Sequence, residues 1–206
     1  MLSGDQVSRN GESLVDAEDA LRANMYAILA AVLRTPPDAV TLDELADLRA
    51  EDGEIGGAVD ALAAAARETT PEAVEDEYHD LFIGVGKAQL TPYASYYLTG
   101  FVYGKPLAKL RVEMASLGIA KADDVGEPED HIVALLEMMC GLITGAFGAP
   151  AEVTRQRAFF DQHIAPWGER FFEDLEAAPS AEFYKPVGTI GRLFMSIESQ
   201  AFQMAA

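Results

Sequence analysis

The chain has 206 residues, half of them hydrophobic, a single cysteine and a formal charge of −19 at pH 7. That length suits one domain with a substantial core, and the hydrophobic content excludes disorder over most of it. The acidity argues against nucleic acid, which needs clustered Lys and Arg, and suits a cationic partner as well as plain solubility. Cys140, alone, excludes an intramolecular disulfide and fits a reducing cytosol; its place in an apolar run suggests packing rather than reactivity.

Met1 to Ser13 reads as a flexible tail without the apolar region of a secretory signal, and 14–206 as one all-helical domain. No apolar run is long enough to span a bilayer, so a cytoplasmic protein without membrane insertion is expected. From about Leu14 a helix is predicted, with Leu21, Met25, Ile28, Leu29 and Val32 on one stripe and Pro36-Pro37 stopping it. Thr41 and Glu44 make a capping box for a short helix through Leu48. Glycines at 53, 56 and 57 break the chain before an Ala-rich helix around Val59 to Arg67. Thr70 caps the next helix, which has Pro71 in its first turn and Val74, Tyr78, Leu81 and Phe82 inward.

Ile83 to Tyr103 is the least regular part. Gly84 and Gly86 break the helix, and tyrosines crowd at 93, 96, 97 and 103. With no convincing second strand to pair with it, this segment reads as loop and helical turns. Pro106 opens a helix with Leu107, Leu110, Met114 and Leu117 inward, closed by Gly118. Lys121 to Gly126 is a polar connector, a candidate hinge between N- and C-terminal halves.

Glu127 to Met139 then carries the most apolar helical run, with Pro128 in its first turn and Asp130-His131 at its front. Its broad apolar arc marks a central helix, and Asp130, Glu137 and Thr144 fall on the narrow remaining face. A helix follows over Val153 to Phe160, then a corner from His163 to Trp167 and a stripe of Trp167, Phe171 and Leu175. The last helix is expected to start at Pro179-Ser180, and Pro186 to kink it or mark its true start. The fold class is all-α, a single helical bundle.

Chemical signatures are sparse. Glu75, Asp76, Glu77, His79 and Asp80 invite a metal reading, but Asp76-x-x-His79 is one imperfect copy of the pair a di-iron bundle needs, and a solvated acidic face suits it better. There is no G-x-S-x-G and no zinc motif. Gly84-Val85-Gly86 resembles part of a phosphate loop without its βαβ setting. Asp130 and His131, adjacent on a helix, would point about 100° apart, so shared binding suits them better than acid–base catalysis. A capping Asp beside a half-buried His stays open as the plainer reading. So does a small helical cofactor- or nucleotide-binding protein with its site near the central helix.

Three stretches together resemble the TorD/DmsD/NarJ family of redox-enzyme maturation chaperones. Tyr78-His79-Asp80-Leu81-Phe82-Ile83-Gly84-Val85-Gly86, followed by Pro92-Tyr93-Ala94-Ser95-Tyr96-Tyr97, is similar to its Y-x-x-L-F-x-G-P-G and P-x-E-S-x-Y. Glu127-Pro128-Glu129-Asp130-His131 matches its E-P-x-D-H, and Phe160-x-x-His163 through Pro166-Trp167 its F-x-x-H-x-x-P-W. The departures are Val85 for proline, and Ala94 and Leu135 where glutamates are common. The resemblance implies an all-helical cytoplasmic chaperone of the TorD-like type, with no enzymatic activity, cofactor or metal. It would bind the twin-arginine signal peptide, the precursor, or both, of a molybdopterin-containing oxidoreductase until cofactor insertion. The client stays open among a formate dehydrogenase, a DMSO-reductase-family subunit such as a sulfoxide or amine-oxide reductase, and a nitrate reductase, and the chaperone would be a monomer or domain-swapped dimer. Carried over by motif, Asp130 and His131 line the peptide groove, with Tyr78, Phe82, Pro92, Tyr93 and Ser95 as wall. Asp130 would then meet an arginine and His131 tune binding near neutral pH.

Overall fold

Apolar stripes punctuated by caps and prolines fold into ten α-helices in the computed structural model, which describes residues 17–49, 52–84, 88–121 and 126–204. In chain order these are α1 (Ala17–Arg34), α2 (Ala39–Ala46), α3 (Glu54–Glu68) and α4 (Pro71–Tyr78), the last continuing as a π-helical turn over His79–Ile83. Then come α5 (Ala94–Thr99), α6 (Lys105–Leu117), α7 (Ile132–Thr144), α8 (Val153–His163), α9 (Gly168–Glu176) and α10 (Tyr184–Met204). Among the described residues there is no strand, only an isolated antiparallel bridge between Tyr93 and His131. The all-α expectation holds. The expected tail over 1–13 lies outside the described residues, as does most of the expected hinge at Lys121 to Gly126.

The central helix is α7, buried at nine of its thirteen residues and lying along α1. α10 packs against both α9 and α3. Its approach to α9 depends on small residues. A Cβ at Gly191 would lie 2.1 Å from the Phe172 ring, and one at Gly188 2.5 Å from the Glu176 backbone nitrogen. Trp167, Phe171, Phe172 and Leu175 are all buried, so the stripe read from spacing is core. Gly118, in the left-handed region at φ 69°, ends α6 as expected.

Several boundaries differ from the sequence reading. Asp38, not Thr41, caps α2, accepting from the Thr41 backbone N–H and hydroxyl at 2.9 and 2.8 Å. Gly56 and Gly57 sit inside α3, where buried Gly56 meets the packed face. The last helix begins at Tyr184 rather than Pro179-Ser180, which leaves Pro186 in its first turn. There a missing N–H costs no intrahelical bond. Leu21, expected on the inward stripe of α1, is 71% exposed, and fully buried Tyr26 belongs to the inward face instead. The reason is polar: the Tyr26 hydroxyl donates to the Glu198 carboxylate at 2.9 Å, and Arg22 bonds the same carboxylate at 2.7 and 2.8 Å. This buried network joins α1 to α10, and through Gln156 to α8. Glu77, read as part of a solvated acidic face, caps α10, accepting from the backbone N–H groups of Glu182, Phe183 and Tyr184 at 2.8–3.0 Å.

Candidate functional site

The first and second of the three family-like stretches meet because one pair of backbone hydrogen bonds joins Pro92–Ala94 to Asp130–Ile132. Ala94 N–H donates to Asp130 O at 3.0 Å, and Ile132 N–H donates to Pro92 O at 2.9 Å. The Asp130 carboxylate accepts from Ser95 N–H at 2.8 Å. Tyr93, the residue before α5, supplies no side-chain cap, so a carboxylate from 35 positions away serves the opening of that helix instead. α7 therefore starts at Ile132, later than expected, because Glu129 and Asp130 form a turn and His131 is spent in the bridge and cap.

This changes what the Asp-His pair presents. Asp130, expected on a polar helical face, is 1% exposed and bound to Ser95, so it does not offer a free carboxylate to the surface. His131 caps α7, its Nδ1 accepting from Val133 N–H at 3.3 Å, which leaves the ring proton on Nε2. Burial pushes the imidazole pKa down to about 4, against smaller opposing effects of Glu127 and Asp130. The expectation that His131 titrates near neutral pH is therefore overturned: the ring stays neutral there, a fixed hydrogen-bond donor.

The Tyr93 ring packs edge-on against His131 at 5.0 Å, and its hydroxyl bonds Glu127. Burial, reinforced by that carboxylate, holds the phenol well above its ordinary pKa. The Tyr78 hydroxyl donates to Arg34 O at 3.0 Å, with Phe82 behind it at 4.9 Å between ring centres. Pro92 and Ser95 are buried, and the Ser95 hydroxyl accepts from Tyr103 N–H at 2.9 Å. Of the seven residues singled out, His131 alone lines the cleft described next, and the Tyr93 ring packs against that histidine.

That cleft, of about 290 Å³, lies where the ends of α1 and α6 meet the start of α7. Its apolar wall comprises Met114, Ile119, Pro128, Val133, Met138 and Phe147, and Glu127, Glu129 and Glu137 edge it together with Arg34 and Lys121. A second cleft of about 640 Å³ continues past Arg34, Glu137 and Phe147, which line both. Glu129 is held by Arg111 through two bonds at 3.0 and 2.8 Å, which keep its carboxyl below the usual range. Sequence reasoning passed over Arg34, Glu137 and Phe147. The available signal was Glu137 itself, the one charged residue in the thirteen of α7.

Among the described residues no group of three or more His, Cys, Asp or Glu could hold a metal ion. Nor is any described helix long and apolar enough to cross a membrane.

A family model for the nitrate reductase delta subunit matches residues 48–173. The chaperone protein TorD of Aliivibrio fischeri is 27% identical over 162 residues, covering 72% of this chain and 75% of that one. TorD of Photobacterium profundum is 30% identical over 57% of this chain and 58% of its own. The Tat proofreading chaperone DmsD of Haemophilus influenzae is 29% identical over 57% of this chain and 56% of its own. A redox enzyme maturation protein from Archaeoglobus fulgidus shares the fold, with a TM-score of 0.57 at 19% identity over 94% of this chain and 99% of that one. The chain belongs to the nitrate reductase delta subunit family, that of the TorD-like redox-enzyme maturation chaperones, which are not enzymes.

Proposed function

We propose that this chaperone acts in the cytoplasm, binding the twin-arginine signal peptide of a molybdopterin-containing oxidoreductase precursor until its cofactor is inserted. One observation carries the reading: an apolar cleft with methionines in its wall, edged by three glutamates, on a chain of charge −19. A segment with consecutive arginines and an apolar run offers both complements, in the helix-in-groove mode. Methionines repack around differing apolar sequences, which suits a signal peptide.

In this reading His131 donates a hydrogen bond through its Nε2–H to a peptide carbonyl, and Tyr93 fixes the ring. Asp130, Pro92 and Ser95 hold that wall in place, while Tyr78 and Phe82 support the end of α1. The test is titration calorimetry with a set of twin-arginine signal peptides, formate dehydrogenase and DMSO-reductase-family sequences among them. One peptide binds with a Kd on the order of micromolar, and Phe147→Ala weakens it several-fold. Tight binding indifferent to Phe147→Ala would place the peptide elsewhere. No heat with any peptide on folded protein would reject signal-peptide recognition.

A further inference from the structure

We propose that Glu137 is the carboxylate that reads a client arginine, and that Arg34 is the resident stand-in which that arginine displaces. The inference rests on the signal-peptide reading above and names the contact that discriminates arginine within it.

Glu137 is the one charge on the most apolar helix of the protein, at the wall shared by two adjoining clefts. Arg34, the last residue of α1, forms an ion pair with it across that shared wall. The pair shows directly that this carboxylate accepts a guanidinium at the cleft. Both side chains are about half exposed, 48% for Arg34 and 46% for Glu137, so solvent screens the pair and it is held weakly. Glu129 is a poorer exchange site, at 11% exposed and held by both arms of Arg111. Glu127 is occupied by the Tyr93 hydroxyl.

The Arg34 backbone is pinned, its carbonyl accepting from Tyr78 and its neighbours being Thr35, Pro36 and Pro37. The guanidinium can therefore swing out while α1 stays in place. Exchanging one arginine for another keeps Glu137 paired in both states, so little electrostatic energy is lost on docking. Apolar contacts to Met138 and Phe147 on either side then supply the gain. Lysine lacks the planar fork and is more strongly hydrated, so it displaces Arg34 less well. Arginine preference follows from the competition itself.

The experiment compares one twin-arginine signal peptide and its twin-lysine version on wild type, Arg34→Ala and Glu137→Gln, with thermal melts to show that each is folded. Both substitutions remove surface groups, so the fold persists. Arg34→Ala should tighten the arginine peptide by about 3- to 5-fold, the size of a lost surface pair. Glu137→Gln should weaken it and bring the arginine-to-lysine affinity ratio close to one. If wild type binds with an arginine preference that neither variant changes, the exchange is wrong and the chaperone reading stands. If wild type binds neither peptide, both fall.

Discussion

Two carboxylates are buried to the same degree and treated differently. Glu198 and Asp130 are each 1% exposed. Glu198 receives Arg22 on both oxygens and the Tyr26 hydroxyl besides, so charge and lone pairs are answered in place. Asp130 receives Ser95 N–H on one oxygen, and its other oxygen has no hydrogen-bond partner among the described residues. It lines a cavity of about 200 Å³ together with His163, whose Nε2 is likewise unpartnered. A closed network fastens helices; a half-answered one is tolerated where the backbone around it holds a wall in shape. The family pattern marks the second and says nothing of the first.

Breaking the closed network should have the largest effect. Glu198→Ala leaves the part-buried Arg22 guanidinium with Asp19 and Gln156 alone and the buried Tyr26 hydroxyl without its acceptor, and should cost about 3 kcal/mol, read as a lower urea midpoint. Replacing Arg22 and Glu198 together by Met and Leu should restore only the part due to the guanidinium, because the buried Tyr26 hydroxyl still lacks its acceptor. Signal-peptide affinity, measured where the variants are folded, should not change.

The acid response of the His131 wall comes next. Its folded pKa of about 4 lies below the unfolded 6.5, so the unfolded chain binds a proton between those values that the native one does not. Stability should therefore fall as pH drops from 6.5 to 4, by about 3 kcal/mol. Burial of His163 adds to the same slope. His131→Asn, which keeps an N-cap acceptor, should flatten that limb in urea unfolding series at pH 7 and 4.5. An unchanged slope would show the ring to be more solvated than its packing against Tyr93 indicates.

Smaller effects separate capping from charge. Glu77→Ala removes the acceptor of three backbone donors before α10 and should lower stability by about 1–2 kcal/mol. Asp130→Ala strands Ser95 N–H and should cost about 1–3 kcal/mol, so it is a poor probe of binding alone. Asp130→Asn keeps an acceptor while removing the charge and should cost the least, as thermal melts of the pair would show.

Much of the architecture was legible because it depends on local rules. Thr70 with Pro71, Gly118 at the end of α6, and the Trp167, Phe171 and Leu175 stripe follow from capping, left-handed glycine and helical period. These elements need no knowledge of distant neighbours. The site was less legible. Treating Glu127 to Met139 as one helix put Asp130 on a solvent face, whereas the bridge to Pro92-Tyr93 turns it inward. Period alone also placed Leu21 inside, where the Arg22, Tyr26 and Glu198 network rotates α1 the other way.

The helical class, the ends of α1 and α6, the central helix and the motifs that mark the family can therefore be read from the chain alone. Each is written in residues a few positions apart. That Asp130 caps α5, that Glu77 caps α10, and that Arg34 and Glu137 meet at the joint of two clefts depends on how the helices pack. Those pairings join residues tens of positions apart. A cap or ion pair between distant segments leaves no periodic trace, since its partners become neighbours only when the helices between them pack.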